Sequence, residues 1–109
     1  MVDVTVPDAV SLLESGAVLL DVREPDEWEA GHAPSAVFIP MGSVQLRIGE
    51  LPKDRTIVVM CRSGGRSAVV TEALQGLGFA AVNLAGGIEA WAGERRPVVT
   101  DAGAPGTVI

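Results

Sequence analysis

The chain has a single cysteine, Cys61, and its surroundings make it the side chain best placed for chemistry. The four apolar residues before it, 57–60, predict a short strand that is buried on both faces. The five residues after it are small, flexible or basic: Arg62, Ser63, Gly64, Gly65 and Arg66. Ser67 then predicts the cap of a helix that continues to residue 77. Because ligand sites of open α/β sheets form where strands end, we expect a functional site in this loop.

Three features of this loop favour the thiolate form of Cys61, which is the nucleophilic form of a thiol. The amide N–H groups around Gly64 and Gly65 can turn inward as an anion-binding nest. The following helix directs its positive end at the loop, and Arg62 and Arg66 add two positive charges. The same features would bind an anionic substrate. We therefore expect an exposed sulfur at the floor of a ring of amide hydrogens, and the alternative is a small buried hydrophobic side chain.

Residues 61–68, CRSGGRSA, resemble the active-site loop of the rhodanese sulfurtransferases, C-x-x-G-x-R followed by Ser or Thr. Three other segments are similar to family motifs in the same order: residues 21–24 to D-V-R-E, residues 31–40 to G-H-I-P-G-A…I-P, and residues 78–91 to G-F…L-x-G-G-x-x-A-W. Ser35 stands where the family usually has glycine. Together the motifs span most of the chain, which therefore resembles a single-domain rhodanese.

The resemblance implies transfer of sulfane sulfur by an enzyme of the thiosulfate sulfurtransferase type. In that reaction Cys61 takes a sulfur from thiosulfate or a similar anionic donor, carries it as a persulfide and passes it to an acceptor. The acceptor would be cyanide, a thiol or a partner protein, and no cofactor beyond the covalent persulfide is implied. The loop residues 62–67 would bind the donor, with Arg62 and Arg66 holding its oxygens.

Asp21 and Arg23 end the strand predicted over residues 17–22. From the residues alone they form a surface ion pair, a kind of contact that contributes little energy. In the family the resembling Asp and Arg lie beside the active-site loop, so the resemblance implies that they support the site without taking part in the chemistry. His32 is interpreted as a loop residue that fixes a turn through a hydrogen bond to the backbone.

Three other functions stay open. Cysteine phosphatases also use a cysteine in an anion-binding loop, but their pattern is C-x5-R, whereas Cys61 and Arg66 give C-x4-R. A rhodanese module can also serve as a persulfide carrier or regulatory domain with little turnover of its own. Finally, a thiol with a lowered pKa can act as a redox sensor.

The composition is that of one small acidic domain, with 109 residues and a net charge of −6. We place the rhodanese domain at residues 1–97 and a tail, disordered or laid on the surface, at residues 98–109. The negative charge argues against nucleic acid as a partner. One cysteine excludes an internal disulfide or a cysteine-based zinc site, and we expect no bound metal. Without a membrane-length apolar run or a signal peptide, we expect a cytoplasmic protein, monomeric by default.

Strands alternate with helices along the chain, which predicts a mostly parallel sheet with helices on both faces. With the resemblance, this becomes a rhodanese-like α/β fold of three layers around about five short strands. Helices are predicted over residues 24–30, with an acidic solvated face, and over residues 43–51, with Ser43 as cap. Trp28 and Trp91 are predicted to anchor in the core.

Overall fold

The structure, a computed structural model, describes residues 3–109 as an α/β fold around one five-stranded sheet. The strands are β1 (Asp3–Val4), β2 (Val18–Asp21), β3 (Val37–Phe38), β4 (Ile57–Met60) and β5 (Ala81–Leu84). They lie in the order β1-β5-β4-β2-β3, and all neighbours are parallel. The prediction of about five short, mostly parallel strands is confirmed. Residues 1 and 2 of the predicted domain lie outside the described part of the chain.

The helices are α1 (Val6–Glu14), α2 (Pro25–Ala30), α3 (Gly65–Gly76) and α4 (Gly87–Gly93). The prediction of a helix over residues 43–51 is wrong, because this segment forms two short 3₁₀ turns, Met41–Ser43 and Ile48–Glu50. Arg47 between them has φ −105° and ψ 18°, outside the helical region, so one continuous helix cannot form. Within residues 3–109, every helix is too short or too polar to cross a membrane.

The central strand β4 is buried along its whole length and separates two hydrophobic cores. Because side chains alternate along a strand, Val58 and Met60 face one core, whereas Val59 and Cys61 face the other. The core that contains Val58 and Met60 is shared with α1 and α4. The core that contains Val59 and Cys61 is shared with α3 and the two 3₁₀ turns. The three predicted layers are thereby confirmed. Cys61 lies on the side of the sheet that α3 covers.

The two tryptophans have different environments. Trp91 is buried in the core shared with α1 and α4, as predicted. Trp28 is only partly buried, so the prediction that it anchors in the core is wrong. Its ring stacks instead on His32, with centroids 3.6 Å apart, and on Phe38, at 4.9 Å. His32 Nδ1 lies 2.8 Å from the Trp28 carbonyl oxygen, which confirms that His32 fixes the turn through the backbone.

The segment after residue 97 lies on the surface, which is the second of the two states predicted for it. Val99 pairs with His32 through backbone hydrogen bonds of 2.8 and 2.9 Å, and the Thr107 amide donates to the Ala30 carbonyl at 2.8 Å. Two valines of the segment also pack against the adjoining core: Val98 and Val108. The domain boundary at residue 97 stays a prediction.

Candidate active site

Cys61 follows β4 at its carboxyl end, where the chain turns into α3. Gly64 makes this turn with a φ of +111°, a left-handed conformation that glycine adopts without strain. The turn lets α3 begin at Gly65, two residues before the predicted cap. The prediction that Ser67 caps the helix is therefore wrong. Ser67 lies inside the first turn of α3, and its buried side chain contacts the sulfur.

Two hydrogen-bond donors contact Cys61 Sγ at the start of α3. The Gly64 amide nitrogen lies 3.1 Å from the sulfur, and the Ser67 hydroxyl lies 3.3 Å from it. The predicted inward turn is thus confirmed for the Gly64 amide. The prediction of an exposed sulfur is wrong: Cys61 is 1% exposed, because it continues the alternation of β4 into the core beneath α3.

The pKa of Cys61 is set by two opposing effects. Burial raises the pKa, because the charged thiolate loses contact with water. The hydrogen bond from the Ser67 hydroxyl lowers the pKa, and so do the backbone amides of Ser67, Gly64 and Ser63 that surround the sulfur. The hydrogen bonds prevail, so the pKa lies below the ordinary value of a thiol. The loop therefore favours a thiolate in a place that water barely reaches.

The start of α4 fixes the other side of the loop. The Ile88 amide donates to the Cys61 carbonyl at 2.8 Å, and the Glu89 amide donates to the Arg62 carbonyl at 3.0 Å. Gly87 has a φ of +57°, and a Cβ atom at this position would collide with the Cys61 carbonyl. The structure shows that this glycine lets α4 approach the backbone of the reactive residue.

Asn83 of β5 is a residue of the site that the sequence reasoning missed. Its side chain is buried, and Nδ2 donates to the Gly64 carbonyl and to Asp3 Oδ1, at 3.2 Å each. Because the Gly64 amide contacts the sulfur, Asn83 helps to hold the peptide group next to that contact. The available signal was a lone polar side chain in an otherwise apolar strand, which requires a buried partner.

Both arginines of the loop pair with carboxylates. Arg66 binds Glu27 of α2 through two hydrogen bonds, of 2.7 and 2.9 Å. Arg62 Nη2 lies 3.5 Å from Glu89 Oε2, and these two side chains are about half exposed. The prediction that the acidic residues of α2 form a solvated face is wrong for Glu27, whose side chain is 14% exposed. An anion that reaches the loop therefore meets arginines that already have partners.

The Glu27–Arg66 pair shifts the pKa values of both groups. The hydrogen bond from Arg66 lowers the Glu27 pKa to about 2, although partial burial opposes the shift. The same hydrogen bond raises the Arg66 pKa, and the negative charge of the Cys61 thiolate raises it further. By the same interaction, the positive charge of Arg66 stabilises the thiolate.

Asp21 and Arg23 form a fully buried ion pair and not the surface pair that the residues alone predict. Asp21 is the register partner of Met60, so the pair lies next to the end of β4. Arg23 Nε and Nη2 donate to the Asp21 carboxylate at 2.8 to 3.1 Å. Arg23 also donates to the carbonyls of Gly31, at 2.8 Å, and Glu27, at 3.3 Å. The pair thereby connects the sheet beside the site to α2.

This arrangement suits one kind of chemistry. A thiolate with converging hydrogen-bond donors can act as a nucleophile and can carry a negatively charged adduct. In the described range, 3–109, no three side chains among His, Cys, Asp and Glu are grouped so as to hold a metal ion. That the loop residues 62–67 bind an anion stays a prediction.

Comparisons with known proteins show which family the chain resembles. A family model described as a rhodanese-like domain matches residues 5–94. A sulfurtransferase from Allochromatium vinosum is 42% identical over 87 residues, which cover 79% of this chain and 81% of the relative. The thiosulfate sulfurtransferase GlpE from Pseudomonas syringae is 39% identical over 84 residues, which cover 76% of this chain and 79% of the relative.

The fold is similar to that of solved structures as well. The crystal structure of a rhodanese-related protein from Thermoplasma volcanium has a TM-score of 0.86 and 32% sequence identity to this chain. The similarity covers 93% of this chain and 100% of the other. Sequence motifs, fold and relatives lead to the same conclusion: the chain belongs to the rhodanese family, and its relatives include sulfurtransferases.

Proposed function

We propose that this protein transfers sulfane sulfur from thiosulfate, or a donor of similar charge, to a thiophilic acceptor through a Cys61 persulfide. The observation that carries the proposal is the hydrogen bond from the Gly64 amide to Cys61 Sγ, joined by that from the Ser67 hydroxyl. These donors favour a thiolate and would equally favour the negative outer sulfur of a persulfide. The similarity to relatives named sulfurtransferase and thiosulfate sulfurtransferase supports the same reaction.

In the first step, the Cys61 thiolate attacks the outer sulfur of thiosulfate. A sulfur–sulfur bond forms to Cys61, the sulfur–sulfur bond of the donor breaks, and sulfite leaves with the electron pair of that bond. The charges balance, because a thiolate and a thiosulfate dianion give a persulfide anion and a sulfite dianion. No external oxidant or reductant is consumed, and no separate base is needed once the thiolate exists.

In the second step, a nucleophilic acceptor attacks the outer sulfur of the persulfide. The new bond forms to the acceptor, and the Cys61 thiolate leaves and is restored for another cycle. Cyanide or a thiol can serve as the acceptor, and so can a thiol of a partner protein. The amides of residues 62–67 stabilise the negative sulfur between the two steps.

The charged residues around the loop support this reaction. Arg62 and Arg66 attract the oxygens of the donor, and the charge of Arg66 also stabilises the thiolate. Asp21 and Arg23 are positioning residues, because Arg23 binds the backbone of Glu27 and Glu27 in turn binds Arg66. They act through α2 and do not touch the sulfur.

A persulfide carrier with little turnover is the second candidate function, and the burial of Cys61 favours it. A sulfur that is 1% exposed is reached by a small donor more easily than by a protein acceptor. Loading would then be fast and release slow, unless a partner opens the loop. The carrier and the enzyme share the same persulfide and differ in the rate of the second step.

The test is to incubate the reduced protein with thiosulfate and to weigh the intact chain. We expect the wild type to gain one sulfur atom and the Cys61→Ala variant to gain none. Cyanide should then remove the added sulfur as thiocyanate. No gain in the wild type, or the same gain in Cys61→Ala, would contradict the proposal. Repeated sulfur transfer to a protein thiol in excess thiosulfate would identify an enzyme with free turnover, whereas loading without transfer to that thiol would identify a carrier.

A further inference from the structure

The carboxylate of Glu27 lies against the reactive loop and binds Arg66. We propose that Glu27 is a specificity-determining residue: by neutralising Arg66 beside Cys61, it weakens the binding of doubly charged donors relative to less charged ones. The inference rests on the proposed sulfur transfer, since it concerns the donor of that reaction. It assigns to α2 a part in selecting the donor, through a contact that the loop motif alone does not indicate.

The Glu27–Arg66 contact is held in place by its surroundings. Both carboxylate oxygens of Glu27 bind Arg66, and one of them also accepts a hydrogen bond from the Glu24 amide at 3.0 Å. The latter contact belongs to a capping box at the start of α2. The backbone carbonyl of Glu27 accepts from Arg23 of the buried pair. Arg66 therefore cannot turn toward a donor without losing two hydrogen bonds to a fixed partner.

The charges of the loop are matched one by one. Arg66 is paired with Glu27, and Arg62 faces Glu89 at 3.5 Å. These four side chains together carry no net charge, and the whole chain carries a charge of −6. The remaining attraction for an anion comes from the loop amides and the N-terminus of α3, which act over a short range.

The charge of the donor then decides how well it is bound. A doubly charged donor is attracted by Arg66 and repelled by Glu27, whose charge lies close to that of Arg66. A neutral or singly charged donor is repelled less and still uses the loop amides. For a partly exposed pair, one such contact between charges changes binding by about fivefold. Removing only the charge of Glu27 should therefore strengthen the binding of thiosulfate.

The variant Glu27→Gln makes this change with little effect on shape. Glutamine keeps an oxygen that can accept from the Glu24 amide, so the cap of α2 is retained. We expect the KM for thiosulfate to fall by about fivefold, with kcat changed by less than about twofold. The matched control is Glu50→Gln, which removes the same charge from the exposed pair of Glu50 with Arg47. In Glu50→Gln the KM for thiosulfate should stay unchanged. If the KM of Glu27→Gln is unchanged or higher, the proposal is overturned.

A second measurement needs no sulfur transfer. The ultraviolet absorbance of the Cys61 thiolate is followed as the pH is changed. Because the chain has one cysteine and no tyrosine, no other thiol or phenol contributes to the signal. Glu27→Gln should lower the pKa of Cys61, because Arg66 is then no longer neutralised, and Glu50→Gln should not. An unchanged or raised pKa overturns the role of Glu27. If the pKa falls but thiosulfate loads no variant, the proposed donor is wrong while the electrostatic role of Glu27 stands.

Discussion

Two of the ion pairs near Cys61, Asp21–Arg23 and Glu27–Arg66, differ in what surrounds them. Asp21 and Arg23 are fully buried, and Arg23 donates further hydrogen bonds to two backbone carbonyls. Glu27 and Arg66 are joined by hydrogen bonds that are just as short, but Arg66 is 37% exposed. One pair is closed off from water and ligands, whereas the other borders the loop that a donor must reach.

The difference in burial decides what each pair can do. A buried pair has lost the hydration of both charges, so removing one partner leaves an unpaired charge in the core and destabilises the fold strongly. A partly exposed pair is easier to break, because water takes the place of the missing partner. The Asp21–Arg23 pair therefore acts on stability. The Glu27–Arg66 pair can act on the charge of the site.

The largest effect is expected for Arg23→Met, which should lower the free energy of unfolding by about 3 to 5 kcal/mol. Methionine fills much of the same volume, but it leaves the Asp21 carboxylate buried without its cation. The carbonyls of Gly31 and Glu27 also lose the hydrogen bonds that Arg23 donates to them. Urea unfolding, followed by tryptophan fluorescence, measures the loss.

The matched control is the double variant Asp21→Asn with Arg23→Met, which removes both charges together. It should be more stable than Arg23→Met alone by at least about 1 kcal/mol, because no unpaired charge remains in the core. A decrease of less than about 1 kcal/mol in the free energy of unfolding of Arg23→Met would mean that water hydrates the Asp21 carboxylate. The contrast between the two ion pairs would then not hold.

Lowering the pH should weaken the Glu27–Arg66 pair. The loss in the free energy of unfolding should be smaller than the loss expected for Arg23→Met. Glu27 has a pKa of about 2 in the folded chain, whereas its ordinary value is 4.5. A carboxylate with a lowered pKa stabilises the fold fully above its ordinary pKa, and the contribution is lost as the pH falls toward the folded pKa. Because water screens the partly exposed Arg66, we expect a contribution of about 1 to 2 kcal/mol at neutral pH.

Glu27→Gln separates this contribution from the other effects of acid. The variant should be less stable than the wild type at about pH 7, and the difference should shrink by more than half at about pH 3. Urea unfolding of both proteins at the two pH values measures the difference. A stability difference that is the same at both pH values would show that the charge of Glu27 does not stabilise the fold.

The parts of the fold that could be predicted are those whose signals are local. β4 coincides with the predicted strand, because four apolar residues in a row, bounded by polar residues, are typical of a strand buried on both faces. The glycines after Cys61 indicated a loop whose amides can turn toward the sulfur, and the Gly64 amide does so. Trp91 packs in the core as its type and position predict.

Other features depend on contacts between distant segments. The residue type of Ser67 is typical of a helix cap, but the left-handed turn at Gly64 starts α3 earlier, and the hydroxyl binds the sulfur instead. Glu27 and Arg66 are 39 positions apart, and their contact exists only because α2 packs beside the loop. Acidic residues of a short helix are usually solvated, so the helix sequence alone does not indicate this partner.

An exposed ion pair, Arg47 with Glu50, should give the smallest effect and is the sharpest check on the role of burial. Its hydrogen bonds, of 2.8 and 2.9 Å, are as short as those between Glu27 and Arg66, yet its side chains are 40% and 53% exposed. If geometry alone set the strength of a pair, Glu50→Gln would destabilise the chain as much as Glu27→Gln. Because exposed pairs gain little over hydration by water, we expect no measurable change in the urea midpoint of Glu50→Gln. Equal losses in the two variants would show that burial is not what distinguishes the pairs.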